Sequence, residues 1–160
     1  MKTLSYQTFK SQTQSQSESA NIQIPDIAEI FSPQEPLTKL PKTLILIPAY
    51  NEEKNIAAVL EGIQKESPGC PILVINEGSS DNTEKVVLEP NAEVIPLPYN
   101  SGYGIALQTG FLYAVKNNFS IVVQMDSDGQ HDPVNIKDLI EAVQKDNCDV
   151  VIGSRFLSKD

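Results

Sequence analysis

Residues 121–133 read IVVQMDSDGQHDP. Ile121, Val122 and Val123, followed by Gln124 and Met125, make a run typical of a buried strand. It stops abruptly at Asp126-Ser127-Asp128-Gly129. Side chains two apart in a strand project to the same side, so Asp126 and Asp128 are expected to share a face. Two like charges that close each favour protonation or a neighbouring cation. A hard divalent ion, Mg²⁺ or Mn²⁺, resolves the conflict, with substrate phosphates completing its oxygen shell. The competing reading is a plain turn, because Asp-Ser-Asp-Gly is good turn sequence and Gly129 supplies a positive φ. The ion is favoured because the motif closes a strand of a parallel sheet, which the rest of the chain establishes. A calcium loop of the EF-hand type does not fit, since Gly129 comes two positions too early.

Working outward, TLILIP (43–48) is a short continuous apolar run, as expected of a strand covered on both faces. Ile56, Val59, Leu60 and Ile63 follow at i, i+3, i+4 and i+7, an amphipathic helix ending at Ser67-Pro68-Gly69. PILVIN (71–76) and AEVIPL (92–97) read as the second and third strands, SIVVQM (120–125) as the fourth and DVVIGS (149–154) as the fifth. Asp81 and Glu84 have the spacing of a capping box before a short helix. Gly102 and Gly104 precede a helix whose expected core face is Leu107, Phe111 and Val115. A further helix carries Ile136, Leu139, Ile140 and Val143 at helical spacing.

Strands and helices that alternate over short connections specify an α/β fold, a mainly parallel sheet with helices on both faces. Such sheets bind ligands beyond the carboxyl ends of their strands. Polar residues gather at those ends: 48–52, 76–80, 100–104, 126–132 and Ser154-Arg155. Residues 43–160 therefore form the expected domain. Residues 1–42, rich in Ser and Gln at first and in Pro later, lack a helix or strand period and are expected to be a disordered tail.

The 160 residues carry a formal charge of −9 with only 12 Lys and Arg. That balance argues against a protein built to grip nucleic acid, which needs clustered cations. Cys70 and Cys148 stand apart without metal or disulfide spacing and are expected to be reduced thiols. No apolar run approaches the roughly 20 residues of a membrane span, and no secretory leader pattern opens the chain. A cytoplasmic protein is expected. NSGYG (100–104) lacks the third glycine of a dinucleotide fingerprint, and a Walker lysine motif is absent. His131, the one histidine, is open between a loop position, a place beside a metal ligand and simple exposure.

LILIPAYNEEKNI, VINEGSSDNT, NSGYGIALQTGF, VVQMDSDGQHDP and VVIGSRF, in this order from Thr43 to Phe156, resemble the successive motifs of the family 2 glycosyltransferases. The likeness is strongest to the branch of dolichyl-phosphate mannosyltransferase and the polyprenyl-phosphate sugar transferases. The resemblance implies the nucleotide-binding half of a GT-A fold and metal-dependent transfer of a sugar, with inversion, from a GDP- or UDP-linked donor. The implied acceptor is a lipid phosphate at the cytoplasmic membrane face. By the same resemblance, Pro48, Tyr50 and Glu52 flank the base and ribose. Ile75 and Glu77 continue that pocket, with Glu77 accepting a ring N–H of the base. Asp126, Ser127 and Asp128 form the D-x-D element, Asp126, Asp128 and Gln130 hold the metal, and Asp128 and Arg155 act in catalysis.

Two departures stand out. Asn76-Glu77 occupies the place of a usual Asp-Asp pair, removing one charge and lengthening the other side chain by a methylene. The chain also ends at Asp160, ahead of the acceptor-binding portion of relatives. The alternative expectation is therefore a truncated nucleotide-sugar-binding module without turnover. A sugar nucleotidyltransferase is disfavoured, because PAYNEE is not a Gly-rich loop with basic residues.

Overall fold

The computed structural model describes residues 5–9, 42–88, 92–145 and 148–154. Its centre is β2 (Thr43–Ala49), buried at every position and flanked by β3 (Ile72–Asn76) and β5 (Ile121–Gln124). With β4 (Glu93–Pro96) the sheet order is β4-β3-β2-β5, and all its pairings are parallel. Alternation along β2 divides the core between two faces. Ile45, Ile47 and Ala49 pack with Ile56, Leu60 and Ile63 of helix α1 (Ile56–Glu66), Val87 of α2 (Thr83–Leu88) and Ile136 of α4 (Ile136–Lys145). Leu44 and Leu46 face the other way, onto Leu73, Ile75 and helix α3 (Tyr103–Lys116). The continuous apolar run of β2 is thus explained: both of its faces are covered. The four parallel strands end at one edge, where the loops 50–55, 77–82, 97–102 and 125–132 meet.

Helix α3 corrects its predicted face. It buries Ala106, Gly110 and Ala114, while Phe111 is 45% and Val115 54% exposed; Leu107 is partly buried. The small residues at i, i+4 and i+8 let the helix backbone lie close on the sheet. A Cβ on Gly110 would overlap the Leu46 methyls and lie 2.9 Å from Leu46 Cγ. Because Leu46 is fully buried, it has nowhere to go. Gly110→Ala is expected to cost about 1–3 kcal/mol through overpacking. Gly104→Ala on the same helix, with nothing within 4 Å of its added Cβ, should cost nothing. Chemical denaturation of both variants checks this; equal stability would refute the close approach. The apolar side chains left outside, Ile105, Phe111, Leu112 and Val115, line an open groove of about 610 Å³.

The fifth predicted strand is also corrected. β6 (Val150–Ser154) does not join the parallel sheet but pairs antiparallel with β1 (Ser5–Phe9) as a two-stranded ribbon, in the register Ser5↔Ser154 to Phe9↔Val150. Residues 5–9, assigned by composition to a disordered tail, are therefore a strand. Their SYQTF sequence carries strand-favouring Tyr, Thr and Phe, and the ladder satisfies backbone groups without requiring an apolar face. The N–H of Asp149 extends it by donating to Phe9 O at 2.7 Å. The remainder of the expected tail up to residue 41, and Arg155 with the residues after it, lie outside the described residues.

Candidate functional site

The loops after β2 and β3 are joined by side chains. Asn51, at φ 57 in the left-handed region that asparagine tolerates, donates its N–H to Ser79 Oγ (3.0 Å) and accepts from Ser80 N at Oδ1 (2.8 Å). Glu52 N donates to Thr83 Oγ1 (2.8 Å), and Glu53 N to Asp81 Oδ2 (3.1 Å). Glu53 in turn accepts from Asn82 N and Nδ2 (3.0 and 3.1 Å). Burial pushes the Asp81 carboxyl up, but hydrogen bonds from the Thr83 hydroxyl and from backbone N–H groups outweigh it and hold Asp81 below its ordinary value.

The predicted capping box is not made: Asp81 Oδ1 accepts from Thr83 N at 2.9 Å, two residues on, rather than from Glu84 N. Glu84 turns instead to Asn76, whose Nδ2 donates to it at 3.2 Å while Asn76 Oδ1 accepts from Ser79 N at 3.0 Å. Asn76 is buried, and an aspartate there could not donate and would face the Glu84 carboxylate. The local partner accounts for the amide where the resemblance leads one to expect a charge.

Glu77, the next residue, is 5% exposed, and its carboxyl makes no hydrogen bond among the described residues. Burial pushes it above the ordinary carboxylate range. The backbone beside it is tightly held. Gly78 has φ 68, and an added Cβ would lie 2.7 Å from the Tyr99 backbone.

Tyr103 closes the far wall. Its hydroxyl donates to Asp126 Oδ1 (3.2 Å), and burial first, then the charges of Asp126 and Glu77, keep it protonated. Gln124 Nε2 donates both to Tyr103 Oη (2.8 Å) and to Asp126 Oδ1 (3.0 Å). His131 wraps the same aspartate. Its Nδ1 accepts from Asp126 N (3.1 Å), and its Nε2 lies 3.5 Å from Asp126 Oδ2. A ring whose Nδ1 accepts carries its proton on Nε2 when neutral. His131 thus sits beside the first aspartate. Asp128 is exposed; its Oδ1 accepts from Gln130 N at 2.9 Å across a turn completed by Gly129 at φ 79.

Strand alternation does not place the two aspartates, because β5 ends at Gln124 and both lie in the turn beyond it. Ser127 between them is buried and Gln130 is exposed. Of the remaining predicted residues, Tyr50 is 44% exposed at the same edge. Glu52 Oε2 accepts from Asn55 Nδ2 (2.8 Å) where α1 begins. Pro48 and Ile75 are buried partners in the β2–β3 ladder, and the Ile75 side chain belongs to the core beneath α3.

A divalent ion fits the donor set in a particular way. Asp126 and Asp128 offer hard carboxylate oxygens on one turn, the donor type that Mg²⁺ or Mn²⁺ takes when water and phosphate complete its shell. Among the described residues no three His, Cys, Asp or Glu side chains gather together. Tyr103 and Gln124 were not distinguished by sequence, since they meet Asp126 across 23 and 2 positions through a contact that only the fold creates. NSGYG did mark the loop that carries Tyr103.

A parallel α/β sheet with a carboxylate turn and interlocked loops at one strand edge is an α/β architecture of the GT-A kind. The chain belongs to glycosyl transferase family 2, whose family model matches residues 44–160. It is 32% identical over 142 residues to polyprenol monophosphomannose synthase of Mycolicibacterium smegmatis, covering 84% of this chain and 53% of that protein. It is 31% identical over 119 residues to undecaprenyl-phosphate mannosyltransferase of Micrococcus luteus, covering 71% and 48%. The structure is similar to that of Mycobacterium tuberculosis glucosyl-3-phosphoglycerate synthase in complex with Mn²⁺, UDP and glucosyl-3-phosphoglycerate. That match has a TM-score of 0.55 and 26% identity, and covers 66% of this chain and 40% of the other. The fold is GT-A, and the chain spans about half the length of these curated relatives.

Proposed function

We propose that this chain supplies the donor-binding part of a metal-dependent, inverting glycosyltransferase. It would take a GDP- or UDP-linked sugar and deliver the sugar to a polyprenyl phosphate at the cytoplasmic membrane face. The observation that carries this reading is the convergence of Glu77, Tyr103 and the Asp126–Asp128 turn on one strand edge. The M. tuberculosis structure that holds Mn²⁺ and UDP supports it, as do the lipid-phosphate acceptors named for the two relatives.

Asp126 and Asp128 would hold the ion, with Gln130 on the same turn as a further ligand, and the chemistry it would supply when bound is Lewis-acid stabilisation of the departing diphosphate. Tyr50 and Glu52 border the base and ribose, and Asp126 and Ser127 lie towards the ribose and diphosphate. Arg155 carries positive charge to the phosphate-bearing substrate. A phosphate acceptor is already ionised near neutral pH and needs little general-base help, unlike a sugar hydroxyl. Peripheral attachment is part of the proposal; among the described residues, no helix is long and apolar enough to cross a membrane.

Glu77 provides the base contact. Its side chain is largely buried and makes no hydrogen bond among the described residues, and a ring N–H of the base would supply one. Glu77→Ala is expected to weaken nucleoside-diphosphate binding by about 1–3 kcal/mol, the range for a buried hydrogen-bonding group left unpaired. Stability should move oppositely in Glu77→Gln. A carboxyl whose folded value is raised binds its proton more tightly in the native state, so its contribution to stability falls as pH rises through that window. The amide variant loses this dependence and should be more stable than wild type at neutral pH. Calorimetry and thermal melts across pH check both effects, and unchanged nucleotide affinity in Glu77→Ala would place residue 77 outside the pocket.

The function itself is tested by incubating the purified chain with labelled GDP- and UDP-sugars, polyprenyl phosphate and Mn²⁺, then extracting the lipid. Label in the lipid phase supports the transferase. Donor binding without transfer supports a binding module, and neither binding nor transfer overturns the proposal.

A further inference from the structure

We infer that Tyr103 and Gln124 are positioning residues that saturate one oxygen of Asp126 and thereby present the other to the diphosphate-bound metal; this rests on the function proposed above. The three groups form a closed ring with a defined direction. One N–H of Gln124 goes to Asp126 Oδ1 at 3.0 Å and the other to Tyr103 Oη at 2.8 Å. The Tyr103 hydroxyl proton then goes to Asp126 Oδ1 at 3.2 Å. Oδ1 therefore accepts two hydrogen bonds. Among the described residues, the recorded neighbour of Oδ2 is the Nε2 of His131, at 3.5 Å, beyond a good hydrogen bond.

Both donors stand on rigid elements. Gln124 is the last residue of β5, paired with Leu46 of the buried central strand. Tyr103 is the first residue of α3, whose small-residue face fixes that helix on the sheet. Asp126 itself lies beyond the strand, in a turn that the ladder does not hold. Without the two donors its carboxylate could rotate and exchange its oxygens. With them, the orientation is set before ligand arrives, as outer partners of metal ligands commonly do. His131 secures the backbone of the same residue by accepting from Asp126 N at 3.1 Å, so position and rotation are fixed by different groups.

The test uses the full chain, with Mn²⁺ titrated in the presence of GDP and separately of UDP, and free Mn²⁺ followed by electron paramagnetic resonance. Tyr103→Phe keeps the ring and removes the hydroxyl; Gln124→Leu keeps much of the side-chain volume and removes the amide. Each should weaken Mn²⁺ binding about 10–100-fold, with the thermal midpoint within a few degrees of wild type. The double variant should lose less than the product of the single losses, since both donors act on one oxygen. Wild-type Mn²⁺ affinity in Tyr103→Phe overturns the inference and leaves the metal reading standing. Affinity losses that track losses of thermal stability in both variants also overturn it, because the residues would then serve the fold alone. If the wild-type chain binds Mn²⁺ with neither nucleotide, the metal reading fails and this inference fails with it.

Discussion

Asp128→Ala is expected to remove metal-dependent nucleoside-diphosphate binding, lowering affinity by more than about a hundredfold. Side chains that merely orient a metal ligand already change metal affinity about 10–100-fold, and loss of a ligand should exceed that. The variant has a confounding effect, because Asp128 Oδ1 also accepts from Gln130 N at 2.9 Å and so closes the turn. Asp128→Asn separates the two roles. Its amide oxygen can accept the same N–H and preserve the turn, but it lacks the charge that attracts a divalent ion. The turn reading predicts that asparagine restores binding; the metal reading predicts that it fails nearly as badly as alanine. Calorimetry with GDP and UDP, with Mn²⁺ and then with chelator, gives the answer. Equal wild-type affinity with and without chelator would sink the metal assignment.

What was legible in the sequence had a clear period or run. The β2 run, the i, i+3, i+4, i+7 face of α1 and the alternation of strands and helices fix the parallel sheet, and parallelism alone brings the strand ends to one edge. The helix α3 face was misread because hydrophobicity counts favour Leu107, Phe111 and Val115, whereas close packing selected Ala106, Gly110 and Ala114. A small residue gains little from burial but permits a short distance, and short distance is invisible to a hydropathy pattern. β1 was missed because a two-stranded ribbon is held by backbone pairing that a polar sequence can make. In the site, the sequence singles out Asp126 and Asp128 but not their geometry. The strand period was applied two residues past the end of β5, into a turn. The partners of Asn76 and Asp126 depend on which loops face each other across the edge. Glu84 lies one helix onset away from Asn76, and Tyr103 lies across an entire helix and strand from Asp126.

Gly78→Ala should be among the most damaging single substitutions in the domain, since it meets two obstacles at once. At φ 68 an alanine sits in the left-handed region, which costs an L-residue about 1–2 kcal/mol. Its Cβ would also lie 2.7 Å from both the carbonyl carbon and the Cα of Tyr99, and 3.0 Å from Asn100 N. Those atoms are backbone and cannot rotate aside as a side-chain tip would. Forcing the two loops apart adds about 1–3 kcal/mol, for a combined loss of about 2–5 kcal/mol. Gly102→Ala supplies the comparison. Gly102 has φ 89, but nothing lies within 4 Å of its added Cβ, so it should show the conformational cost alone. The difference between the variants in chemical denaturation isolates the close approach of the β3 and β4 loops. Binding should report the same event. Separating Gly78 from Tyr99 moves Glu77 away from Tyr103, so the Gly78 variant should lose nucleotide affinity even at temperatures where it remains folded. Equal destabilisation of the two variants would show that Gly78 is needed only for its backbone angle. Retained affinity in a folded Gly78→Ala protein would show that the two loops need not meet to form the base pocket.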